Sequence, residues 1–215
     1  MRSVWVIVVA AGSGSRFGRP KQYEELAGRP VLDWSLAAAR AAAGGADDGL
    51  VVVVPPDRVA EPASGAATVI GGGATRSSSV RAGLAAVPGH ADVIVVHDGA
   101  RPLAGPELFA RVVGAVRDGA DAAVPAVEVT DTLRRRTGGP VDRIGLVAVQ
   151  TPQAFRAAAL RRAHAAGPEA TDDASLVEAA GGKVVVVEGS PANLKITRPV
   201  DLAIAEALLR FGETP

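Results

Sequence analysis

Short apolar runs alternate with longer alanine-rich segments along the 215 residues of this chain. The runs are rich in valine and lack interspersed polar residues, a pattern typical of strands buried on both faces of a parallel sheet. They lie at Val4–Val9, Leu50–Val54, Val93–Val96 and Val184–Val187, with a shorter strand at Thr68–Ile70. Segments rich in Ala, Leu and Arg predict helices at Val31–Ala43, Arg76–Val87, Glu107–Val116, Phe155–Ala166 and Val200–Leu209. This order predicts an α/β protein with a Rossmann-like, open, mostly parallel sheet flanked by helices.

One region, residues 127–149, breaks this alternation. Most of it is polar, and Thr137-Gly-Gly-Pro140 supplies turn residues near its middle. Two extended flanks around a turn predict a β-hairpin arm that protrudes from the core, with a surface loop as the alternative.

The arm carries more apolar residues than a solvated loop needs: Val127, Val129, Leu133, Val141, Ile144 and Leu146. A two-stranded hairpin is marginal in water by itself, so these residues require a partner surface. A second copy of the chain is the simplest partner, and we expect a homodimer joined through the arm. The chain as a whole predicts a single domain of residues 1–215.

Composition and charge exclude several classes of protein. Lysine plus arginine and aspartate plus glutamate are balanced at 23 each, so the chain lacks the basic excess of a nucleic-acid or anionic-membrane binder. It has no cysteine, which excludes disulfides, a thiol nucleophile and cysteine-ligated zinc. The apolar runs are too short to span a bilayer, and the N-terminal run is interpreted as a first strand rather than a signal peptide. We therefore expect a cytoplasmic enzyme.

The most informative motif follows the first apolar run. Gly12, Gly14 and Gly18 form a glycine-rich loop, with Arg16 inside it and Lys21 just after it. Small residues let successive backbone N–H groups approach an anion, and the two cations add charge beside them. Strand, loop, cations and a following helix together predict a polyphosphate site. A glycine-rich turn without a ligand is the alternative.

Two familiar phosphate loops do not describe this motif. A Walker loop ends in Gly-Lys-Ser/Thr, whereas Gly18 is followed by Arg19-Pro20. A dinucleotide loop has a different glycine spacing and an acid at the end of the second strand. The acid at that distance here is Asp33, which lies inside a predicted helix.

Asp98 follows the run Val93–Val96 and so falls at the carboxyl edge of the sheet, where open parallel sheets bind ligands. A carboxylate beside polyphosphate implies a bridging Mg²⁺, and an aspartate that caps a turn or helix is the alternative. Farther along the chain, Thr171 begins a helix and Lys195 lies on an extended segment. Taken alone, Thr171 is a helix cap and Lys195 a surface residue. A functional interpretation requires both to converge with Asp98.

The chain is poor in candidate bases and nucleophiles. His90, His97 and His164 are its three histidines, and they lack metal-ligand spacing. His97 is expected to be structural, and no Ser-His-Asp pattern accompanies the serines. A chain rich in anion binders but poor in bases favours phosphoryl or nucleotidyl transfer, in which positioning and charge stabilisation supply the catalysis.

Seven motifs in order resemble the 2-C-methyl-D-erythritol 4-phosphate cytidylyltransferases over nearly the whole chain. They are Ala10-Ala-Gly-Ser-Gly-x-Arg16, Pro20-Lys-Gln22, Gly73-x-x-Arg-x-x-Ser-Val80, His97-Asp-Gly-Ala-Arg-Pro102, Gln150-Thr-Pro-Gln153, Thr171-Asp-Asp-Ala-Ser175 and Asn193-x-Lys-x-Thr-Arg-Pro199. Each motif alone is weak, whereas the ordered set is specific. This family transfers CMP from CTP to 2-C-methyl-D-erythritol 4-phosphate. The products are 4-diphosphocytidyl-2-C-methyl-D-erythritol and pyrophosphate, in the non-mevalonate route to isoprenoids.

The resemblance implies a role at each matching position. Arg16 and Lys21 would stabilise charge on the CTP α-phosphate and pyrophosphate, and Lys195 would be a further catalytic cation. The implied CTP site is Ala10, Ala11, Gly12, Ser13, Gly14, Arg16, Lys21, Gly73, Ser79 and Asp98. The implied acceptor site is Asp98, Arg101, Thr151, Thr171 and Lys195, with Thr132 and Arg143 reaching it from the other subunit's arm. Asp98 would also hold Mg²⁺. The loop between Arg16 and Pro20 is shorter than in many relatives, which affects the reach of Lys21.

Three alternatives remain open at this point. A cytidylyltransferase for another polyol phosphate, such as ribitol 5-phosphate, would share the CTP site and differ around Thr171, Lys195 and the arm. A Rossmann oxidoreductase is disfavoured because Val54 leads into Pro55-Pro56-Asp57 without an acid at the strand end. A non-catalytic nucleotide-binding protein is disfavoured because binding alone does not require both cations of the glycine loop.

Overall fold

The fold is built on one mixed sheet of eight strands, within the residues that the computed structural model describes: 3–44, 49–61 and 68–212. The strands in chain order are β1 (Val4–Val9), β2 (Glu25–Leu26), β3 (Arg29–Pro30), β4 (Leu50–Val54), β5 (Thr68–Gly71), β6 (Val93–Asp98), β7 (Ala122–Glu128), β8 (Leu133–Arg134), β9 (Pro140–Val141), β10 (Val147–Val149), β11 (Gln153–Arg156) and β12 (Val184–Glu188). The helices are α1 (Val31–Ala42), α2 (Arg76–Ala86), α3 (Pro106–Arg117), α4 (Ala157–His164), α5 (Asp173–Ala179) and α6 (Pro199–Arg210). The short pairs β2–β3 and β8–β9 lie outside the main sheet.

Strand β1 lies in the interior of the sheet and pairs in parallel with β4 on one side and β6 on the other. Its last residue, Val9, is opposite Val53 in β4 and Asp98 in β6. The carboxyl ends of these strands therefore meet at one edge. The glycine-rich loop that follows β1 faces Asp98 there, as the sequence predicts for an open parallel sheet.

The other half of the sheet contains both strand directions. β11 runs antiparallel between β6 and β7, whereas β12 pairs in parallel with β7. The predicted α/β sheet flanked by helices is confirmed, but the sequence predicted neither β7 nor β11 and placed Phe155 in a helix. Phe155 instead lies fully buried in β11, and α4 begins at Ala157 and ends at His164. A single buried aromatic residue fits a strand as well as a helix start, so the pattern did not separate them.

Helices cover both faces of the sheet because successive side chains of a strand point to opposite faces. Ile7 packs with residues of α2, α4 and α5 on one face. Val6 and Val8 pack with α1 and α3 on the other. All three are completely buried, which explains why the valine runs have no polar interruptions. In β12, by contrast, Val186 is 58% exposed.

A third apolar cluster joins the glycine loop to α6. Its buried members are Phe17, Leu26, Val31, Leu103, Ile196 and Ala205. Ile196 is fully buried and anchors the extended segment that precedes α6. Since neighbouring residues of an extended segment point in opposite directions, Lys195 faces away from this cluster.

The remaining predicted helices agree with the structure to within one residue at each end. Pro106 and Pro199 are the first residues of α3 and α6, one position earlier than predicted, because proline suits the first turn of a helix. No helix among the described residues is long and apolar enough to cross a membrane.

The predicted arm is a short hairpin whose base belongs to the main sheet. Strands β8 and β9 pair antiparallel around a turn formed by residues 135–139, where turn chemistry was predicted. β7 continues through Val127 and Glu128, and β10 pairs with it in the main sheet. The protruding part is therefore residues 129–146 rather than 127–149, because both ends of the predicted arm continue the hydrogen bonding of the main sheet.

Replacing either of two helical glycines by alanine should change the free energy of unfolding, with opposite signs at the two positions. A Cβ at Gly83 in α2 would lie 2.5 Å from Ile7 Cγ2 in β1, whereas one at Gly114 in α3 meets nothing within 4 Å. Gly114→Ala should raise the free energy of unfolding by about 0.5–1 kcal/mol through helix propensity. Gly83→Ala should lower it by about 1–3 kcal/mol, because α2 must move away from the sheet. Urea unfolding measures both, and a stabilising Gly83→Ala would contradict this close contact.

Candidate active site

Two neighbouring cavities open at the edge of the sheet where β1 and β6 end. The loop cavity, of about 410 Å³, is lined mainly by the glycine-rich loop and by the segment that precedes α2. The rim cavity, of about 370 Å³, is lined by residues between β10 and β11 and by the segment that precedes α5. Arg76, Asp98 and Lys195 line both cavities. These three side chains form the boundary at which ligands in the two cavities would meet.

Gly14 bends the glycine-rich loop, and Gln22 holds it in place. Gly14 has a φ of +70°, and a Cβ there would lie 1.9 Å from a carbonyl oxygen of the same loop. The Gln22 side-chain amide donates to the carbonyl oxygens of Ala10 (2.7 Å) and Gly12 (3.1 Å). Within the described residues, no hydrogen bond uses the backbone N–H groups of residues 12–16. With two carbonyls turned towards Gln22, these N–H groups remain available to an anion.

Every residue predicted for the phosphate part of the site lines the loop cavity: Ala10, Ala11, Gly12, Ser13, Gly14, Arg16 and Lys21. Burial lowers the pKa of Lys21, and the charges of Lys195 and Arg16 lower it further. The three cations line one cavity and repel one another there. An anion entering the cavity would relieve that repulsion.

Asp98 is the last residue of β6, and its side chain is only 12% exposed. The Lys195 ammonium donates to Oδ2 at 2.5 Å, and Arg76 Nε lies 3.6 Å from Oδ1. Burial raises the pKa of Asp98, but Lys195 and Arg76 outweigh it and hold the pKa well below its usual range. The sequence predicts Asp98 just beyond the strand. It is instead a buried strand residue, because two cations compensate its charge. The convergence with Lys195 that a functional interpretation required is present.

A chain of hydrogen bonds fixes the backbone of Asp98. Its N–H donates to Thr151 Oγ1 at 3.0 Å, and this hydroxyl lies 3.2 Å from His97 Nδ1. His97 Nε2 lies 3.3 Å from the carbonyl oxygen of Arg101. Because a carbonyl only accepts, Nε2 carries the proton and Nδ1 accepts from Thr151. Burial lowers the pKa of His97 to about 4, so the ring is neutral at neutral pH and structural, as expected.

The rim cavity contains a buried cation, Arg101, whose hydrogen-bond donors are only partly used. Arg101 Nη1 donates to the carbonyl oxygen of Asn193 at 2.6 Å, and its Nε has no partner among the described residues. Burial lowers the pKa of Arg101. Thr171 also lines this cavity, but it is not the cap of α5. Asp172 caps that helix by accepting from the N–H of Ser175 at 3.0 Å, since a carboxylate one residue closer reaches it.

Gly73 lines the loop cavity, whereas Ser79 lies behind it. The Ser79 hydroxyl accepts from the Gly73 N–H at 3.2 Å and donates to the carbonyl oxygen of Thr75 at 2.9 Å. Its side chain is buried, so it holds the Gly73 segment from beneath. The direct contact of Ser79 with CTP that the resemblance implies stays a prediction.

Thr132 and Arg143 line neither cavity. Both are exposed on the arm, and Arg143 donates to the carbonyl oxygen of Thr130. A single chain therefore does not bring them to the other predicted residues. Their predicted role requires a second copy.

Arg76 and Gln22 are two residues of the site for which the sequence predicted no role. Each lies within one of the seven motifs, so its position in the motif was the one sign of a function. What the motif did not reveal was the partner. Gln22 binds carbonyl oxygens ten or more residues earlier, and Arg76 binds Asp173, nearly a hundred residues later. Such partners become visible only in the fold.

A glycine-rich anion loop, joined cavities and at least four cations at the carboxyl edge of an α/β sheet define a nucleotidyltransferase. A sequence profile of the 2-C-methyl-D-erythritol 4-phosphate cytidylyltransferase (IspD) family matches residues 4–211, and the chain belongs to this family of enzymes.

Curated relatives and solved structures agree with this assignment. The 2-C-methyl-D-erythritol 4-phosphate cytidylyltransferase of Rubrobacter xylanophilus is 44% identical over 226 residues, which cover 99% of this chain and 97% of that protein. The Cereibacter sphaeroides protein of the same name is 49% identical over 218 residues and 96% of each chain. The crystal structure of the Thermus thermophilus protein has a TM-score of 0.82 at 42% identity and covers 98% of this chain and 100% of that one. The resemblance predicted from seven ordered motifs is confirmed.

The neutral state of His97 predicts a pH dependence of stability. Its pKa falls from 6.5 to about 4 on folding, so the unfolded chain binds more protons between these values. The free energy of unfolding should therefore decrease as the pH falls through this window, by up to about 3 kcal/mol from this residue. His97→Gln should flatten the curve. Urea unfolding of both proteins from about pH 7 to about pH 4 checks this, and parallel curves would show that His97 is not buried in its neutral form.

Proposed function

We propose that this chain transfers CMP from CTP to 2-C-methyl-D-erythritol 4-phosphate, forming 4-diphosphocytidyl-2-C-methyl-D-erythritol and pyrophosphate. The observation that carries the proposal is a pair of cavities joined at Arg76, Asp98 and Lys195. One has an anion loop suited to a polyphosphate, and the other has a buried arginine suited to a second anion. Membership of the family supports the identity of both substrates.

CTP would occupy the loop cavity, with its base beside Gly73 and its phosphates on the glycine-rich loop. The N–H groups of residues 12–16, together with Arg16 and Lys21, face the region where charge would build on the α-phosphate and the departing pyrophosphate. Charges act more strongly in a partly buried cavity than in water, because the local dielectric is lower. The tether from Gln22 keeps the loop in this arrangement before a substrate arrives.

The acceptor would occupy the rim cavity, with its phosphate near Arg101 and Lys195 and its hydroxyls near Asp98 and Thr171. A phosphate is largely ionised at neutral pH, so one of its oxygens attacks the CTP α-phosphorus without a general base. A P–O bond to the acceptor forms as the bond to pyrophosphate breaks, in line. This agrees with a site whose histidine is neutral and hydrogen-bonded on both ring nitrogens.

The residues present fit a magnesium ion bound together with the nucleotide. Among the described residues, no group of three or more His, Cys, Asp or Glu side chains could hold a metal. Asp98 lines both cavities, and Mg²⁺ commonly binds through one carboxylate and substrate phosphates. Asp98 is therefore proposed as the protein ligand. The ion would neutralise part of the polyphosphate charge when bound.

The chain would act as a single-domain homodimer joined through the arm. Ile144 is 87% exposed and Leu146 41% exposed, which supports an apolar partner surface there. In the dimer, Thr132 and Arg143 would reach the rim cavity of the other subunit. A cytoplasmic location stays a prediction.

Pyrophosphate release from CTP, measured with Mg²⁺ and a panel of polyol phosphates, tests the function. We expect 2-C-methyl-D-erythritol 4-phosphate to be the fastest acceptor. Lys21→Ala serves as the internal control and should lower kcat about a hundredfold with a smaller change in CTP affinity. Faster turnover of ribitol 5-phosphate would assign another acceptor, and no release with any acceptor would contradict the proposal.

Mixing two inactive variants tests the shared site. In a mixed dimer of Lys21→Ala and Arg143→Ala, one site combines an intact Lys21 with the intact arm of the other chain, so activity should return. Lys21→Ala mixed with Arg16→Ala is the matched control. Both changes lie in the loop cavity of their own chain, so no intact site can form. Tagged subunits confirm exchange, and exchange without recovered activity would show that the arm does not complete the neighbouring site.

A further inference from the structure

Arg76 occupies an electrostatically unfavourable position in its own helix. It is the first residue of α2, where the partial positive charge of the helix N-terminus disfavours a cation. Its Nη1 donates to Asp173 Oδ2 at 2.7 Å, and its Nε lies 3.6 Å from Asp98 Oδ1. Burial lowers the pKa of Arg76, but the two carboxylates outweigh it and raise the pKa. A residue that breaks a local rule and is compensated by tertiary partners is typical of a functional site.

A buried acid–imidazole pair behind Arg76 fixes its orientation. The Asp173 side chain has no exposed surface, and its second oxygen, Oδ1, lies 2.9 Å from His164 Nε2. His164 is itself 3% exposed. Burying a carboxylate costs several kcal/mol, and its partners must offset that cost. Asp173 therefore requires Arg76 and His164, and Arg76 has little freedom to turn away.

The outer part of the Arg76 guanidinium faces the boundary between the cavities. The side chain is 24% exposed and lines both cavities. A guanidinium carries five N–H donors, and Asp173 and Asp98 face only Nη1 and Nε. No partner of Nη2 is found within the part of the chain that the structure describes, so its two donors are left for a ligand. Two anionic phosphates must approach each other at this boundary, and their repulsion raises the barrier to transfer.

We propose that Arg76 is a further catalytic residue of the transfer reaction, with Asp173 and His164 as its positioning residues. Arg76 contacts the donor and acceptor phosphates together and offsets their repulsion while the new P–O bond forms. Its planar fork can address two oxygens at once, whereas a lysine supplies a single point charge. The inference rests on the proposed nucleotidyl transfer and adds a cation to its mechanism.

Arg81 provides a matched control on the same helix. It donates to the carbonyl oxygen of Pro168 and to Glu169, both at 2.8 Å, and so ties α2 to the segment that leads to Asp173. It lines neither cavity. A loss shared by Arg76 and Arg81 variants would therefore reflect this tie rather than the reaction.

The test measures kcat, both KM values and calorimetric CTP affinity for Arg76→Gln, Arg76→Lys and Arg81→Gln. Arg76→Gln should lower kcat about a hundredfold, with CTP affinity within about threefold of the wild type. Arg76→Lys should have a kcat about tenfold higher than that of Arg76→Gln, because lysine restores the positive charge but not the planar guanidinium. Arg81→Gln should keep kcat within about twofold of the wild type. An unchanged kcat for folded Arg76→Gln, or equal losses in Arg76→Gln and Arg81→Gln, would overturn the proposal.

A double-mutant cycle separates positioning from a structural role. Asp173→Asn should lower kcat about tenfold in the wild type and cause no further loss in Arg76→Gln, because both changes remove one function. Additive losses would overturn the positioning role. If circular dichroism shows that Asp173→Asn does not fold, His164→Gln takes its place in the cycle. An inactive wild type would contradict the proposed function, whereas an active wild type with an unaffected Arg76→Gln contradicts only this inference.

Discussion

The compensated charge of Asp98 is the interaction on which the site depends. A buried carboxylate is unfavourable unless cations and hydrogen bonds replace the water it has lost. Here Lys195 and Arg76 supply the charge, and Thr151 accepts from its backbone N–H. These residues belong to four distant parts of the chain. Through its carboxylate, Asp98 joins the end of β6 to the start of α2 and to the segment before α6, and through its backbone N–H it joins the segment before β11.

The same interaction leaves the site electropositive and prepared for anions. Lys195, Arg76 and Arg101 all act on the one carboxylate of Asp98, and Arg16 and Lys195 both lower the pKa of Lys21 in the loop cavity. Substrates that carry phosphate relieve this repulsion when they bind. In the proposed reaction the site needs neither a nucleophile nor a free base, because the acceptor would bring its own ionised oxygen. The proposed catalytic contribution of the site is to position the substrates and to stabilise charge with cations that are in place before the substrates bind.

Most of the fold could be predicted from the sequence, because valine runs are typical of strands that are buried on both faces. The anion loop could be predicted because glycines and cations follow the first strand. The sequence did not predict features that depend on distant partners. Asp98 was expected just beyond the end of its strand, and its burial within the strand depends on Lys195 and Arg76, which come from distant parts of the chain. Arg76 was predicted as the first residue of a helix, and its pairing with Asp173 depends on a segment nearly a hundred residues away. Residues 127–128 and 147–149 were predicted as part of the hairpin but belong to the main sheet. The pairing of β10 with β7 cannot be predicted from either segment alone.

Direct reaction between the two substrates at the Asp98 boundary can be tested at the phosphorus atom itself. The measurement is the stereochemistry of CMP transfer from a CTP analogue that carries a chiral sulfur-substituted α-phosphate. A single in-line displacement inverts that centre. Two successive displacements through a nucleotidylated side chain would retain its configuration. We predict inversion in the cytidylyl product, and retention would contradict direct transfer.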